Sequence, residues 1–309
     1  MEEVENRLKR LEDASARQEA LLERLLAFIE AAAPGGNFEP PSQSQNNAKF
    51  TGVCEQTLKG RDDTLYGDDD DDSVFCLAQL SDGRVVSGSK DNKLKVWNVE
   101  TGNPNSYICC ELTLYGHSDR VYCLAQLSDG RVVSGSADNT LIVWNIATGV
   151  CEQTLEGHSN TVYCLAQLSD GRVVSGSADK TLKVWNIATG GCEQTLEGHI
   201  ESVCCLAQLS DGKVVSGSED NTLKLWNIAT GVCERTVEGH RDAVYCLVQL
   251  SDGKVVSGSW DTNLKVWNIA TGVCEQTLRG HSNSVFCLAQ LSDGRVVSGS
   301  VDRTLKVWK

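Results

Sequence analysis

From Thr51 onward the chain is written in short apolar runs separated by small clusters of turn-forming residues. The stretch Val121 to Thr161 shows the grammar in full: VYCLAQLSDGRVVSGSADNTLIVWNIATGVCEQTLEGHSNT. VYCLAQL alternates in polarity and is rich in strand formers; SDG is a turn; RVVSGS is a second short strand; ADNT is a tight turn; LIVWNI, ATG and VCEQTL give a third strand, a turn and a fourth strand. The 41-residue unit then repeats. The tryptophans that end the third segment stand at Trp97, Trp144, Trp185, Trp226, Trp267 and Trp308, spaced by 47 once and by 41 four times. A fixed period of this length means that one supersecondary unit was copied, and such units bury their apolar faces only by stacking on one another.

Four short strands per unit of this length predict an all-β fold built as the blades of a β-propeller. The N-terminal part follows a different rule. Val4, Leu8, Leu11, Ser15, Gln18, Leu22, Leu25 and Ile29 step by four and three, which predicts a coiled-coil-like helix over residues 1–33 with a polar break at Ser15 and Gln18. Pro34, Gly35 and Gly36 stop it, residues 34–50 read as a flexible linker, and residues 51–309 form the repeat domain.

The unit ends its loop in Gly-His, carries Ser-Gly-Ser-Ala-Asp-Asn-Thr, and closes its third strand with Val-Trp-Asn, as at Val143-Trp144-Asn145. In these motifs the chain resembles the WD40 repeat family over residues 51–309, with Trp-Asn in place of the usual Trp-Asp. The resemblance implies a six-bladed WD40-type β-propeller, a departure from the seven blades of most members. The last unit lacks a fourth strand at Lys309, whereas Thr51 to Leu58 reads TGVCEQTL, the same as Thr271 to Leu278. The N-terminal strand is therefore expected to complete the last blade and close the ring, which removes its exposed edges, with an open arc of six blades as the alternative.

The resemblance further implies a hydrogen-bonded tetrad inside each blade. The sets are His117, Ser134, Asp138 and Trp144; His158, Ser175, Asp179 and Trp185; His199, Ser216, Asp220 and Trp226; His240, Ser257, Asp261 and Trp267; and His281, Ser298, Asp302 and Trp308. An aspartate, an imidazole, a hydroxyl and an indole N–H satisfy one another away from water. This uses all five histidines of the chain. A set repeated in five blades is scaffold, and no Gly-x-Ser-x-Gly elbow is present, so no enzyme, cofactor or metal site is expected. The first blade keeps Ser87, Asp91 and Trp97 but has Asp68 to Asp72 where the histidine belongs, which predicts the least rigid blade. That acidic run reads as a solvated loop, since it lacks the glycine and distal glutamate of a calcium loop.

Because the framework is so uniform, the differences between units are informative. They gather after Gly-His and before the turn aspartate, stretches that a WD40-like propeller places on one rim. Lys90, Arg120, Glu219, Arg241 and Trp260 belong to them. The first strands contribute a second ring, Phe75, Tyr122, Tyr163, Cys204, Tyr245 and Phe286. Aromatics with a polar tip are favoured at binding centres. The candidate binding rim is thus Trp260, Phe75, Tyr122, Tyr163, Tyr245 and Phe286 with Lys90, Arg120, Glu219 and Arg241.

The formal charge of −14 and pI near 4.8 lack the positive field of a nucleic-acid binder. No apolar stretch is long enough for a membrane span, and the charged start MEEVENRLKRLED is no secretory signal. Twelve of the fourteen cysteines fall two to a unit, with Cys109 and Cys204 beside two of them; they read as small buried hydrophobes and suit a reducing compartment, the cytoplasm or the nucleus. The sequence therefore predicts a non-catalytic interaction scaffold for a protein or peptide partner, with residues 2–33 as an oligomerisation or docking helix. The alternatives are a signalling subunit resembling the G-protein β family, which pairs its helix with a small helical partner, and a substrate-receptor adaptor.

Overall fold

The computed structural model describes residues 73–98, 110–291 and 293–309. Among these, twenty-three strands form six antiparallel sheets, five of four strands and a last one of three, with no helix. The predicted helix 1–33, the linker 34–50, the closing strand Thr51 to Leu58 and the run Asp68 to Asp72 lie outside the described residues. The sheets are the blades of a six-bladed propeller. In blade four the strands are Val203–Gln208, Val214–Ser218, Leu223–Asn227 and Val232–Val237, each hydrogen-bonded to the next in order.

Burial explains the composition of each strand. The second strand, VVSGS, is buried at every residue in blade four, because it lies mid-sheet with both faces covered. A strand covered on both faces reads as an unbroken run without charge. The outermost strand is exposed along most of its length and carries Glu234 and Arg235. Its cysteine shares that exposure, and here the sequence reading needs correction. Cys123, Cys205 and Cys246 of the innermost strands are buried, whereas Cys151 and Cys192 of the outermost strands are exposed.

Each apolar core joins two blades. Val215, Leu225 and Val237 of blade four pack in one cluster with Val244, Val255 and Trp267 of blade five. The middle glycine of Ser-Gly-Ser sets how closely the blades approach. A Cβ on Gly217 would lie 2.7 Å from Cys205 Sγ and 2.7 Å from Val244 Cγ1 of the next blade. Gly88, Gly135, Gly176 and Gly258 meet the same crowding. A polar tie accompanies it: Ser210 N donates to Gln249 Oε1 at 2.9 Å, and equivalent bonds link Ser81 to Gln126, Ser128 to Gln167, Ser169 to Gln208 and Ser251 to Gln290.

Five blade junctions repeat this pattern, and the seam between blade six and blade one does not. Val74 is only half-buried where Val121, Val162, Val203, Val244 and Val285 are fully buried. Among the described residues a Cβ on Gly299 would meet only Cys287 and Leu305 of its own blade. Gln79 Oε1 is buried without a hydrogen-bond partner among the described residues. Among the described residues the third strand of blade six, Leu305–Trp308, pairs with Val296–Ser300 alone, and Val307 is 53% exposed where its counterpart Val184 is buried.

Candidate functional site

The innermost strand of every blade is irregular at its second residue. In blade four Val203 pairs with Ser218 and Cys205 with Gly217, so Cys204 is the extra residue of a β-bulge. The bulged residues of the other blades are Phe75, Tyr122, Tyr163, Tyr245 and Phe286. A bulge re-aims its side chain out of the strand's alternation. Here it brings neighbouring side chains into contact across blades. Phe75 and Tyr122 have ring centroids 4.9 Å apart, Tyr122 and Tyr163 5.4 Å, and Tyr245 and Phe286 4.9 Å.

Around this ring stand the two variable stretches, and backbone bonds hold them together. Ala137 N donates to Arg120 O, Ala178 N to Thr161 O, Glu219 N to Ser202 O, Trp260 N to Ala243 O, Val301 N to Ser284 O and Lys90 N to Ser73 O. The turn residue and the loop residue of each blade are therefore neighbours on one rim. Trp260 is 48% exposed, and its ring meets Tyr245 with centroids 5.5 Å apart. Tyr245 Oη donates to Glu219 Oε1 at 3.2 Å across the boundary of blades four and five. Burial, and then the Glu219 carboxylate, raise Cys204 to about 12; burial also raises Tyr245 and Tyr163, and Glu219 adds to both shifts. Arg120 and Arg241 are exposed on their loops.

Beneath the rim each tetrad forms one directional chain. In blade four Trp226 Nε1 donates to Ser216 Oγ at 2.8 Å, Ser216 Oγ lies 2.7 Å from His199 Nε2, and His199 Nδ1 lies 2.7 Å from Asp220 Oδ2. The carboxylate only accepts, so the proton sits on Nδ1, and Nε2 takes the serine O–H. Blades two, three, five and six repeat these distances within 0.1 Å. The sequence reading missed two further donors to the aspartate. The backbone N–H after the histidine, that of Ile200 here, donates to Oδ2, and Thr222 donates to Oδ1 through both N and Oγ1. Burial pushes the Asp220 carboxyl up, but donation from His199 and Thr222 outweighs it and holds the group far below the usual carboxylate range. Asp138, Asp179, Asp261 and Asp302 are held low in the same manner.

Ser-Gly-Ser is now accounted for residue by residue. Ser216 joins the tetrad, Gly217 admits the next blade, and Ser218 Oγ donates to Glu201 O of the rim loop while accepting from Asp220 N. Blade one adapts to its missing histidine. Trp97 Nε1 still donates to Ser87 at 2.8 Å, and Lys95 and Lys93 place their ammonium groups 3.3 Å and 3.6 Å from Asp91 Oδ2. In blades three, four and five the lysine at this place in the strand turns to the outer strand, as Lys224 does to Thr236.

The histidine side chains of the five tetrads are 0–1% exposed. An imidazole so enclosed meets no substrate, and its two nitrogens are already engaged. No cluster of metal-ligating side chains occurs among the described residues. No helix among the described residues is long and apolar enough to cross a membrane.

The model of the family described as "WD domain, G-beta repeat" matches residues 52–98, 108–145, 149–186, 190–227, 231–268 and 272–309. No curated protein matches the chain. Each of the last four matched stretches begins at a fourth-strand sequence and runs to the residue after the tryptophan of the following blade.

Proposed function

Because the chain belongs to the WD40 repeat family, whose propellers generally serve as protein-interaction scaffolds, we propose that it is a non-catalytic scaffold. It binds a peptide or protein segment on the rim that carries Trp260, Tyr245 and the bulged aromatics. One observation carries this reading: units that are near-copies elsewhere differ on that rim, where large rings stand exposed. A purely structural propeller has no use for a half-exposed tryptophan where its siblings are Ala137 and Ala178. Exposed aromatics surrounded by polar groups are typical anchors of interfaces.

Affinity capture from the source cell tests it. The double variant Trp260→Ala, Tyr245→Ala is expected to lose the partner recovered by the wild type while keeping its thermal midpoint within a few degrees. Equal recovery by both proteins rejects the rim.

The N-terminal region has two assignments in this reading. Residues 51–58 complete blade six, because TGVCEQTL duplicates the strand that pairs with Leu264–Asn268 in blade five. The same register sets Leu58 against Leu305 and Cys54 against Trp308. Residues 2–33 self-associate through their apolar steps. Two truncations separate the assignments. Removal of residues 1–50 is expected to abolish self-association in sedimentation without altering the propeller. Removal of residues 1–58 is expected, in addition, to accelerate amide exchange across Leu305–Trp308 and leave Leu264–Asn268 unchanged. Identical exchange in both truncations rejects the closing strand, and an unchanged sedimentation coefficient per chain rejects self-association.

A further inference from the structure

Along the row of bulged side chains from blade one to blade six, one position departs from the rest. Five of its six positions are aromatic, and blade four has Cys204. The ring contacts run from Phe75 through Tyr122 to Tyr163 on one side, and from Phe286 through Tyr245 to Trp260 on the other. Cys204 stands between the two arcs, and its thiol is smaller than the phenol that blades two, three and five carry at this place.

The turn of the same blade supplies Glu219 where other blades supply Lys90, Ala137, Ala178, Trp260 or Val301. Its carboxylate is exposed and leans towards the break, since Tyr245 Oη donates to its Oε1 at 3.2 Å. Among the described residues no lysine or arginine pairs with Glu219. The ammonium of Lys180, on the preceding turn, is taken up by Glu201 at 3.4 Å and by Ile200 O at 2.7 Å. Nor does any described cation lie over Tyr163 or Tyr245. The break is thus flanked by Tyr163 and Tyr245 and carries a carboxylate that no described lysine or arginine neutralises.

We propose that the notch formed by Tyr163, Cys204, Tyr245 and Glu219 receives the ammonium of a lysine side chain from the bound segment. This rests on the rim reading above and names what the rim selects. A cation between ring faces gains from the ring quadrupoles, and a carboxylate beside it adds a charge-assisted hydrogen bond. Lysine fits better than arginine. Glu219 Oε1 already accepts from Tyr245, so a planar guanidinium fork does not find both oxygens free, whereas a compact ammonium needs one. The net charge of −14 draws a basic segment towards the protein.

The probe is the blocked tripeptide acetyl-Gly-Lys-Gly-amide, titrated into the full chain and followed by the indole N–H signals of the seven tryptophans. The Trp260 signal is assigned by its disappearance in Trp260→Phe. The lysine peptide is expected to shift that signal saturably, and the norleucine peptide is not. Glu219→Ala and Cys204→Tyr each install a residue that sibling blades carry, so both variants keep the fold, which the thermal midpoint checks. Each is expected to weaken the lysine peptide about tenfold, the loss of roughly 1.4 kcal/mol. No saturable shift, equal binding of the norleucine peptide, or unchanged affinity in both variants overturns the notch. Tighter binding of the arginine peptide overturns the choice of lysine. A captured partner that is lost by Trp260→Ala, Tyr245→Ala but kept by Glu219→Ala leaves the rim standing and removes the notch. A partner kept by both removes the rim as well.

Discussion

Trp226→Ala is expected to lower the unfolding free energy by about 3–5 kcal/mol, the range for deleting a fully buried large ring. The indole is 1% exposed and packs in one cluster with Leu182, Val184 and Leu196 of blade three and Val203 and Val214 of its own blade. Its loss opens a void at the junction of two blades, where neither can relax without moving the other. The same change removes the N–H that Ser216 Oγ accepts at 2.8 Å, leaving a buried hydroxyl with one partner fewer. Trp226→Phe separates these effects. It keeps most of the ring volume and removes the donor, so it is expected to cost about 1–2 kcal/mol. Trp260→Ala, at a half-exposed position outside every core cluster, is expected to cost about 0.5 kcal/mol or less. Urea unfolding of the three variants gives the ranking directly. Equal losses for Trp226→Ala and Trp260→Ala would remove the division of the tryptophans into structural and recognition groups. Because neighbouring blades supply most of each core, the Trp226→Ala transition is also expected to broaden as blades three and four loosen ahead of the rest.

The tryptophans illustrate what the sequence discloses. Six of them recur with the unit and share its chemistry, so period and residue type sufficed to separate them from Trp260. The first serine of Ser-Gly-Ser was legible for the same reason, since a copied motif announces a copied role. Features that depend on geometry were not legible. Strand alternation alone places Cys123 and Tyr122 on opposite faces, but it does not tell that Tyr122 is the bulged residue and meets Tyr163. The fourth-strand cysteines were read as buried because their run looks apolar; the outermost strand of a blade has no sheet beyond it, and Cys151 and Cys192 face water. Lys95 turns towards Asp91 in the blade whose sequence lacks the histidine, a compensation between residues that no local pattern encodes. The bond from Tyr245 to Glu219 crosses two blades, and its partners are 26 residues apart in the chain.

The tetrads also fix how stability should respond to acid. A carboxyl held below its ordinary range in the folded protein contributes fully when both folded and unfolded forms are ionised. As pH falls through the ordinary value, the unfolded chain takes up a proton that the folded chain does not, and the contribution drains away. For Asp220, whose side chain is 2% exposed, burial works against ionisation while His199, Thr222 and Ile200 N–H hold the charged form, and the donors win. Such a group contributes up to about 2 kcal/mol at neutral pH, lost between about pH 5 and pH 2. Asp138, Asp179 and Asp261 share the arrangement, so the wild type is expected to lose several times that amount over the window. Surface carboxylates add their own slope, as Asp129 does through Arg131. Asp220→Asn isolates the tetrad term. The amide keeps the shape, still accepts from His199 Nδ1–H, and does not titrate; its NH₂ faces donors where the carboxylate had acceptors. The variant is therefore expected to be less stable than the wild type by about 2 kcal/mol at pH 7, with the gap closing steadily below pH 5. Urea midpoints measured for both proteins at half-unit steps of pH check this. A gap that stays constant down to pH 3 would mean that the aspartate acts through shape alone, and that its charge contributes nothing to holding the histidine, the serine and the tryptophan in line.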